Sequence, residues 1–565
     1  MAKTYTEIHP EANILLVDSA HTIGGSWAYE RLYPRLKTNN VLGSYEFSSF
    51  PMVPKDPSVV SGAHIPGQVV HEYLNDVAAH YGFEQRCRLG TVVESARPRH
   101  DGAWEVKLRK VRNDKDVTYS VVTKKVVVAA GLTSEPNMPT FVGQDSFTGH
   151  IVHSKQLKEM AAELARCKTV VVVGGNKSAW DACYDAARHG SRVTMIIRPS
   201  GGGPSYVWPR KFKWGPWWTS LARLSSMRFC AAFDPTLCST KGPMAWWSRF
   251  LHNTRIGALL RNYFWTTLDR KIRRLNGYRT HPELAKLEPW TTPFWMGNSL
   301  SIHNYETDWF ELVRDGKIKI RIAEVDHLLP TKVVLDDGER LDVEALICCT
   351  GWKSRSIIQF QDDQELSSAI SDAVLNDIGR AQEQISDRLG YLKTLPKRTA
   401  NAPALSTDTS QPTFTASEHH YRFMVPWQPA HLLSKNLAYI GTHCSIHAVL
   451  VAQVQALWIT AFFDNKIASL HNSHIDLKAV RYEAILQGVY GALRRPKECG
   501  GAAGKHADLV FDSLPYIDCL LDDLGLAVNR KSGVWGTVFA SHSPRDYETL
   551  LGDYKAKYVA KTKST

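Results

Sequence analysis

The clearest periodic unit in the chain spans residues 168–198. Thr169–Val173 is an unbroken β-branched run, the pattern of a parallel strand buried on both faces. Gly174-Gly175-Asn176-Lys177-Ser178-Ala179 follows as a tight turn. Ala179, Cys183, Ala186 and Ala187 recur at helical spacing, Gly190 stops that helix, and 193–197 is a second strand. Strand, small-residue turn, helix and strand predict a βαβ unit whose helix N-terminus faces a phosphate.

The same patterning divides the rest of the chain. Residues 1–8 have the spacing of the end of an amphipathic helix, and 14–17 is a short apolar strand ending in Asp18. Ile65-Pro66 opens a helix to about Tyr81. Residues 91–93, 104–108 and 117–122 alternate or run apolar as strands of a small sheet, and 126–131 is a buried strand ending in Gly131. Residues 200–308 are rich in Trp with Arg and Lys between them, a stretch compatible with helical packing, a hydrophobic substrate entrance or a monotopic membrane contact. Residues 310–326 and 332–342 predict a helix end, strands and an Asp-Asp-Gly hairpin. Residues 372–418 predict a helix and then a mobile loop, 437–441 a short strand, and 446–463 a long apolar helix.

Composition adds limits. At 565 residues, 44% hydrophobic and 22% charged, the chain has room for two or more domains with large cores. Its formal charge of +12 favours acidic ligands or surfaces, but no dense Lys/Arg block points to nucleic acid. Ten cysteines form no C-x-x-C pair and no metal-ligand spacing, which implies a reducing, cytoplasmic setting. No signal peptide is visible, and His447, Gln453 and Gln455 make 446–463 a core helix rather than a membrane span.

The nucleotide is read from the end of the second strand. A carboxylate there would accept from a ribose 2′-hydroxyl; Arg198 instead suits a 2′-phosphate, so the unit predicts an NADP(H) site. Asn176 replaces the middle glycine of G-x-G-x-x-G and crowds the pyrophosphate, while Lys177 adds charge beside Ser178 and Ala179. Asp18 is opposite in sign and suits a ribose 2′-hydroxyl. Two nucleotide units ending in opposite charges predict FAD first and NADPH second. The glycine loop belonging to Asp18 should lie ~20 or more residues upstream. The sequence before Asp18 has no room for it, so a truncated chain, a late start, or a cofactor held without that loop are all open readings.

Asp18 is followed by Gly24-Gly25-Ser26-Trp27, and 33–51 reads YPRLKTNNVLGSYEFSSFP. Phe147-Thr148-Gly149-His150-Ile151-Val152-His153 matches F-x-G-x-x-x-H just ahead of the βαβ unit. Two glycine-ended strands, at Gly131 and Gly351, bracket that unit, each with a serine three residues on (Ser134, Ser354). In these features the chain resembles the flavin-containing monooxygenase superfamily, which includes Baeyer–Villiger monooxygenases and N-hydroxylases. Its LNGY, HPE and SLSI stretches within 275–308 resemble fungal FAD-dependent monooxygenases of secondary metabolism.

The resemblance implies an α/β fold of two dinucleotide-binding, Rossmann-like domains. The NADP domain (156–345) would carry a Trp-rich helical insertion at about 200–308. It would sit inside an FAD domain made of 1–155, lacking its first strand and glycine loop, and 346–565, with a mobile loop at about 373–418 and a C-terminal cap. It places Asp18, Gly25, Ser26, Trp27, Asn39, Asn40, Val93 (backbone, at adenine), Gly131 and Gly351 around FAD. Gly174, Asn176, Lys177, Ser178, Ala179 and Arg198 would hold NADP(H). Asn39 would be the catalytic polar group beside the reactive flavin position. His153 would organise the domain linker rather than act as a base, and 446–463 would aim its N-terminus at the flavin pyrimidine. The implied reaction transfers one atom of O2 to a small apolar substrate through a flavin C4a-(hydro)peroxide. Nucleic acid is not an expected partner, and a weak membrane-surface contact at the Trp-rich stretch stays open. Baeyer–Villiger oxidation is an alternative, although Leu157 stands where that fingerprint carries Trp. A catalytically inactive paralogue that binds FAD poorly is another.

Overall fold

The computed structural model describes residues 1–110, 116–238, 242–297, 300–353, 358–361, 371–399, 402–403 and 419–559. Ser354 and most of the expected mobile loop (404–418) lie outside the described residues.

The β-branched run at 169–173 is the centre of a five-stranded, all-parallel sheet. Its order is Ile318–Ile322, Arg192–Ile197, Thr169–Val173, Ala345–Cys348, His150–His153. Val170 and Val172 face the helix Lys177–Arg188, which buries Ala179, Cys183 and Ala187 against them. Val171 and Val173 face the opposite way, onto an antiparallel meander of Val325–Leu329, Lys332–Leu335 and Arg340–Asp342. Covering on both faces is why this strand has no polar alternation. The sheet therefore begins at His150 and closes at Cys348, so both chain crossings lie along one of its sides.

Around it lie the elements of the second dinucleotide-type unit. Leu16–Val17 pairs in parallel with Cys87–Arg88, and Val126–Val128 in parallel with Leu437–Tyr439. These are separate two-stranded pieces. Thr91–Pro98, Trp104–Lys110 and Val117–Thr123 form the expected antiparallel sheet. The helix Ala448–Phe463 is apolar all round and fully buried for most of its length, in a core with Ile8, Ile517 and Leu520.

The insertion is only partly helical. Tyr206–Trp208 pairs with Leu300–Ile302, and a hairpin joins Phe212–Trp214 to Trp217–Thr219. The long antiparallel helices Gly242–Asn253 and Arg255–Asn276 follow. Buried Asp234 locks the insertion to the C-terminal part by accepting from Arg494 Nε at 2.8 Å and Arg495 at 2.8 Å. The stretch from 372 opens as the expected helix, the 18-residue Asp372–Leu389, so the loop bound at about 373 is too early. Val374, Ala381 and Ile385 bury one stripe of it in the core shared with Leu477–Arg494.

Candidate active site

The buried strand Thr169–Val173 delivers its C-terminal end into the turn Gly174-Gly175-Asn176. Gly174 has φ +146°, and a Cβ there would sit 2.6 Å from the carbonyl oxygen of Cys349. A Cβ on Gly175 would sit 2.6 Å from the oxygen of Gly203. The turn is thus pressed between the returning strand and the loop after Arg198, and only glycine meets both demands. Asn176 occupies the N-cap of Lys177–Arg188 with extended backbone and no side-chain cap. Asn176, at the N-terminal end of that helix, lines a cleft of about 640 Å³. Ser178 lines it too, so the amide donors and helix dipole of a phosphate site are in place.

Arg198 stands one residue beyond Arg192–Ile197, exposed on the cleft wall. Gly201 donates to its carbonyl at 3.1 Å, which fixes the turn. Lys177 behaves otherwise. Its ammonium is turned away from the cleft, ion-paired to Asp181 and 3.1 Å from the Tyr305 hydroxyl. Burial lowers its pKa from the ordinary lysine value, and Asp181 opposes that shift. Ala179 is a core residue with no exposure.

The two crossing segments form the middle of the cleft. Gly131 (φ +66°) and Gly351 (φ +81°) both line it, with Ser134 and Thr350 beside them. His153 Nε2 lies 3.0 Å from the Gly351 carbonyl, and Lys155 Nζ donates to the Ser134 carbonyl at 2.7 Å. The F-x-G-x-x-x-H stretch therefore bolts one crossing to the other. Burial depresses the His153 pKa, and its ring has no carboxylate beside it in these contacts.

Of the expected FAD residues, Gly131 and Gly351 line the cleft, whereas Asp18, Gly25, Ser26, Trp27, Asn39, Asn40 and Val93 are not among its lining residues. Ser26 Oγ lies 2.8 Å from Thr133 Oγ1, and Arg31 donates to the Thr133 carbonyl at 3.0 Å. These bonds hold the Gly24–Trp27 turn against the first crossing. Trp27 donates to the Tyr45 hydroxyl at 3.0 Å. Asp18 accepts from Ala20 N at 2.9 Å at the end of its short strand. Asn40 is buried and donates to the Ile446 carbonyl, just ahead of Ala448–Phe463. Its neighbour Asn39 points the other way along Lys37–Val41, and its buried Oδ1 has no partner among the described residues. Val93 is half-buried in Thr91–Pro98, opposite Leu108.

An orphaned buried amide oxygen at Asn39, a free helix N-terminus and an exposed Arg198 fit a dinucleotide-and-flavin pair. The described cleft wall carries one carboxylate, Glu135, which is ion-paired to Lys353 at 2.5 Å. His419 and His420 also line it; burial lowers them to about 4 and about 3, so both are neutral imidazoles near pH 7. The wall thus offers binding groups and neutral rings rather than an acid–base pair.

Sequence reasoning missed the loop 500–504, which carries glycines at 500, 501 and 504 and closes the cleft opposite the phosphate turn. Gly500 packs so closely on Gly202 that a Cβ on the latter would lie 2.3 Å from its Cα. Arg398 ties the two loops together, donating to the carbonyls of Gly201 (3.4 Å) and Glu498 (3.1 Å). The glycine clusters at 201–203 and 500–504 are the signal that could have found this wall.

Residues 15–207 match the pyridine nucleotide-disulphide oxidoreductase family. The chain is 30% identical to the FAD-dependent monooxygenase rstn6 of Aspergillus nomiae, over 98% of its own length and 96% of that protein. It is 31% identical to an FAD-dependent monooxygenase of Pyrenophora dematioidea, covering 94% and 96%. Among solved structures, a triple mutant of cyclohexanone monooxygenase from Rhodococcus sp. Phi1 bound to NADP+ superposes with a TM-score of 0.54. That similarity covers 99% of this chain and 95% of the other at 16% identity, a likeness of fold.

Proposed function

The chain belongs to the FAD-dependent monooxygenases, and we propose that it uses NADPH and O2 to insert one oxygen atom into a small apolar organic substrate in secondary-metabolite biosynthesis. FAD and NADP(H) are its cofactors. When bound, NADPH supplies hydride and FAD supplies the ring on which O2 is activated. The observation that carries the reading is the single cleft shared by the phosphate turn Gly174–Asn176, Arg198 and both crossings at Gly131 and Gly351.

In this reading the Gly174–Ser178 turn binds the pyrophosphate and Arg198 binds the 2′-phosphate. Asp18 and the Gly25–Trp27 turn hold the FAD ribose side, Val93 its adenine, and Asn39 and Asn40 the flavin edge. Asn39 Oδ1, unpartnered and buried, accepts a hydrogen bond there and orients the reacting partners. His153 holds the crossings in register through Gly351.

The test is a visible spectrum of the purified protein, followed by anaerobic addition of NADPH and then aerobic product analysis. Flavin absorbance, bleaching by NADPH, and an oxygenated sulfide or amine are the expected results. An ester from a ketone substrate would assign the Baeyer–Villiger reaction instead. No bleaching by either NADPH or NADH would overturn the cofactor assignment.

A further inference from the structure

Charge is distributed very unevenly along the chain. Residues 199–281 hold 14 Lys and Arg against two Asp, a formal +12, and this equals the formal charge of the entire protein. The remaining residues carry 54 basic and 54 acidic side chains. Both Asp of the stretch are spent internally, Asp234 on Arg494 and Arg495 and Asp269 on Arg273. What this stretch turns outward is therefore basic: Lys213, Arg223, Arg249, Arg255 and Arg270 are all exposed.

The same stretch exposes large apolar side chains in an ordered way. On the helix Arg255–Asn276, Phe264, Trp265, Leu268 and Ile272 face the core, as one apolar stripe should. A second stripe, Ile256, Leu259 and Tyr263, has helical spacing but faces out, at 65%, 70% and 70% exposure. Trp246 on the neighbouring helix (63%), Trp217 at the hairpin (71%) and Trp535 (74%) are equally open. Aromatic contacts beneath join these parts. Trp535 meets Phe539 (4.4 Å), Phe539 meets Phe229 (5.1 Å), and Phe229 stacks on Trp247 (6.0 Å), next to Trp246. Trp214 of the hairpin packs on Phe264 (5.1 Å), next to Tyr263. Lys213 lies over the Trp218 ring at 5.5 Å, its charge beside an apolar surface.

A soluble face does not carry this combination without use. We propose that the insertion and Gly533–Phe539 dock flat on an anionic lipid surface, with Trp, Ile, Leu and Tyr entering the headgroup boundary and Lys and Arg meeting lipid phosphates and carboxylates. Exposed aromatic and aliphatic side chains among charges of a single sign are the chemistry of an interfacial helix. Among the described residues no helix is long and apolar enough to cross a membrane, so the contact is with one leaflet. The proposal does not depend on the reaction assigned above.

Vesicle flotation of the full-length, flavin-loaded protein tests it. Vesicles of phosphatidylcholine alone are compared with vesicles containing about 30% phosphatidylserine. At least about tenfold more protein should float with the anionic vesicles, and about 0.5 M salt should release most of it. The triple variants I256S/L259S/Y263S and R249E/R255E/R270E should each lose about tenfold or more of this binding, with flavin spectrum and melting curve unchanged. Absence of the wild type from anionic vesicles overturns the proposal, as does flotation of both variants like the wild type. A dimer in sedimentation velocity that the first variant dissolves, with no vesicle binding, would assign the face to a second copy of the chain and overturn it equally.

Discussion

Replacing Arg198 by Ala separates the two nicotinamide cofactors. The side chain is exposed on the cleft wall, one residue after a fully paired strand, and its backbone is held by the Gly201 amide. A charge-assisted hydrogen bond is worth about 1.5–3 kcal/mol, and exposure to water and salt reduces this to roughly 1–2 kcal/mol at such a site. At about 1.4 kcal/mol per tenfold, the NADPH KM should rise roughly five- to thirtyfold. NADH has no 2′-phosphate, so its KM should move less than about twofold. The assay is stopped-flow flavin reduction at several concentrations of each cofactor, in low and high salt. Wild-type selectivity should fall with salt, and that of the variant should not. A parallel loss with NADPH and NADH would refute the assignment and make Arg198 a structural residue; an unchanged NADPH KM would refute it outright.

Three further outcomes follow from the same geometry. Gly174→Ala places a Cβ 2.6 Å from the Cys349 carbonyl at φ +146°, and strain with overpacking should cost about 2–5 kcal/mol, read as a lower melting temperature and lost reduction by NADPH. Lys177→Ala leaves Asp181 buried with only the hydroxyls of Tyr33 and Tyr305, so stability should fall by about 2–4 kcal/mol while the NADPH KM changes less than about twofold; a raised KM at constant stability would show a phosphate role instead. Burial depresses His64, His252, His419, His443, His447 and His542 to about 4 and His420 to about 3. The unfolded chain protonates these rings near pH 6.5 and the folded chain does not. Stability is therefore full above pH 6.5 and should be lost toward pH 4, with an upper slope of about 9.5 kcal/mol per pH unit, and a flat melting temperature between pH 7 and 5 would contradict the burial of these rings.

The NADP-type half was legible because its pattern is local. A continuous β-branched strand, a glycine turn and a small-residue helix within 31 residues need no tertiary information, and all three formed within a residue or two of their expected bounds. The F-x-G-x-x-x-H stretch and the two glycine-ended strands were also visible, but not the fact that His150–His153 and Ala345–Cys348 are neighbours in the same sheet. That pairing joins residues almost 200 positions apart, and nothing in either segment's periodicity encodes it. The helix Asp372–Leu389 was half-visible: its apolar stripe is narrow, and its polar face resembles loop sequence until Leu477–Arg494 is placed against it.

Side-chain direction was the harder problem. From the sequence, Arg198 at the strand end carries the NADP(H) reading, and Lys177 beside the phosphate turn adds charge to it. The fold distinguishes them by what lies one helical turn away. Asp181, at i+4 from Lys177, is held by the hydroxyls of Tyr33 and Tyr305, which come from 148 and 124 residues away. A largely buried carboxylate with two hydroxyl donors still favours a cation beside it, and Lys177 is within reach on the same helix face. Among the described residues no carboxylate pairs with Arg198, and it stays on the cleft. A basic residue near a glycine turn is therefore evidence for a phosphate only once its i+4 neighbour is known. In this chain that neighbour takes Lys177 away from the cleft, and Arg198 stays on its wall.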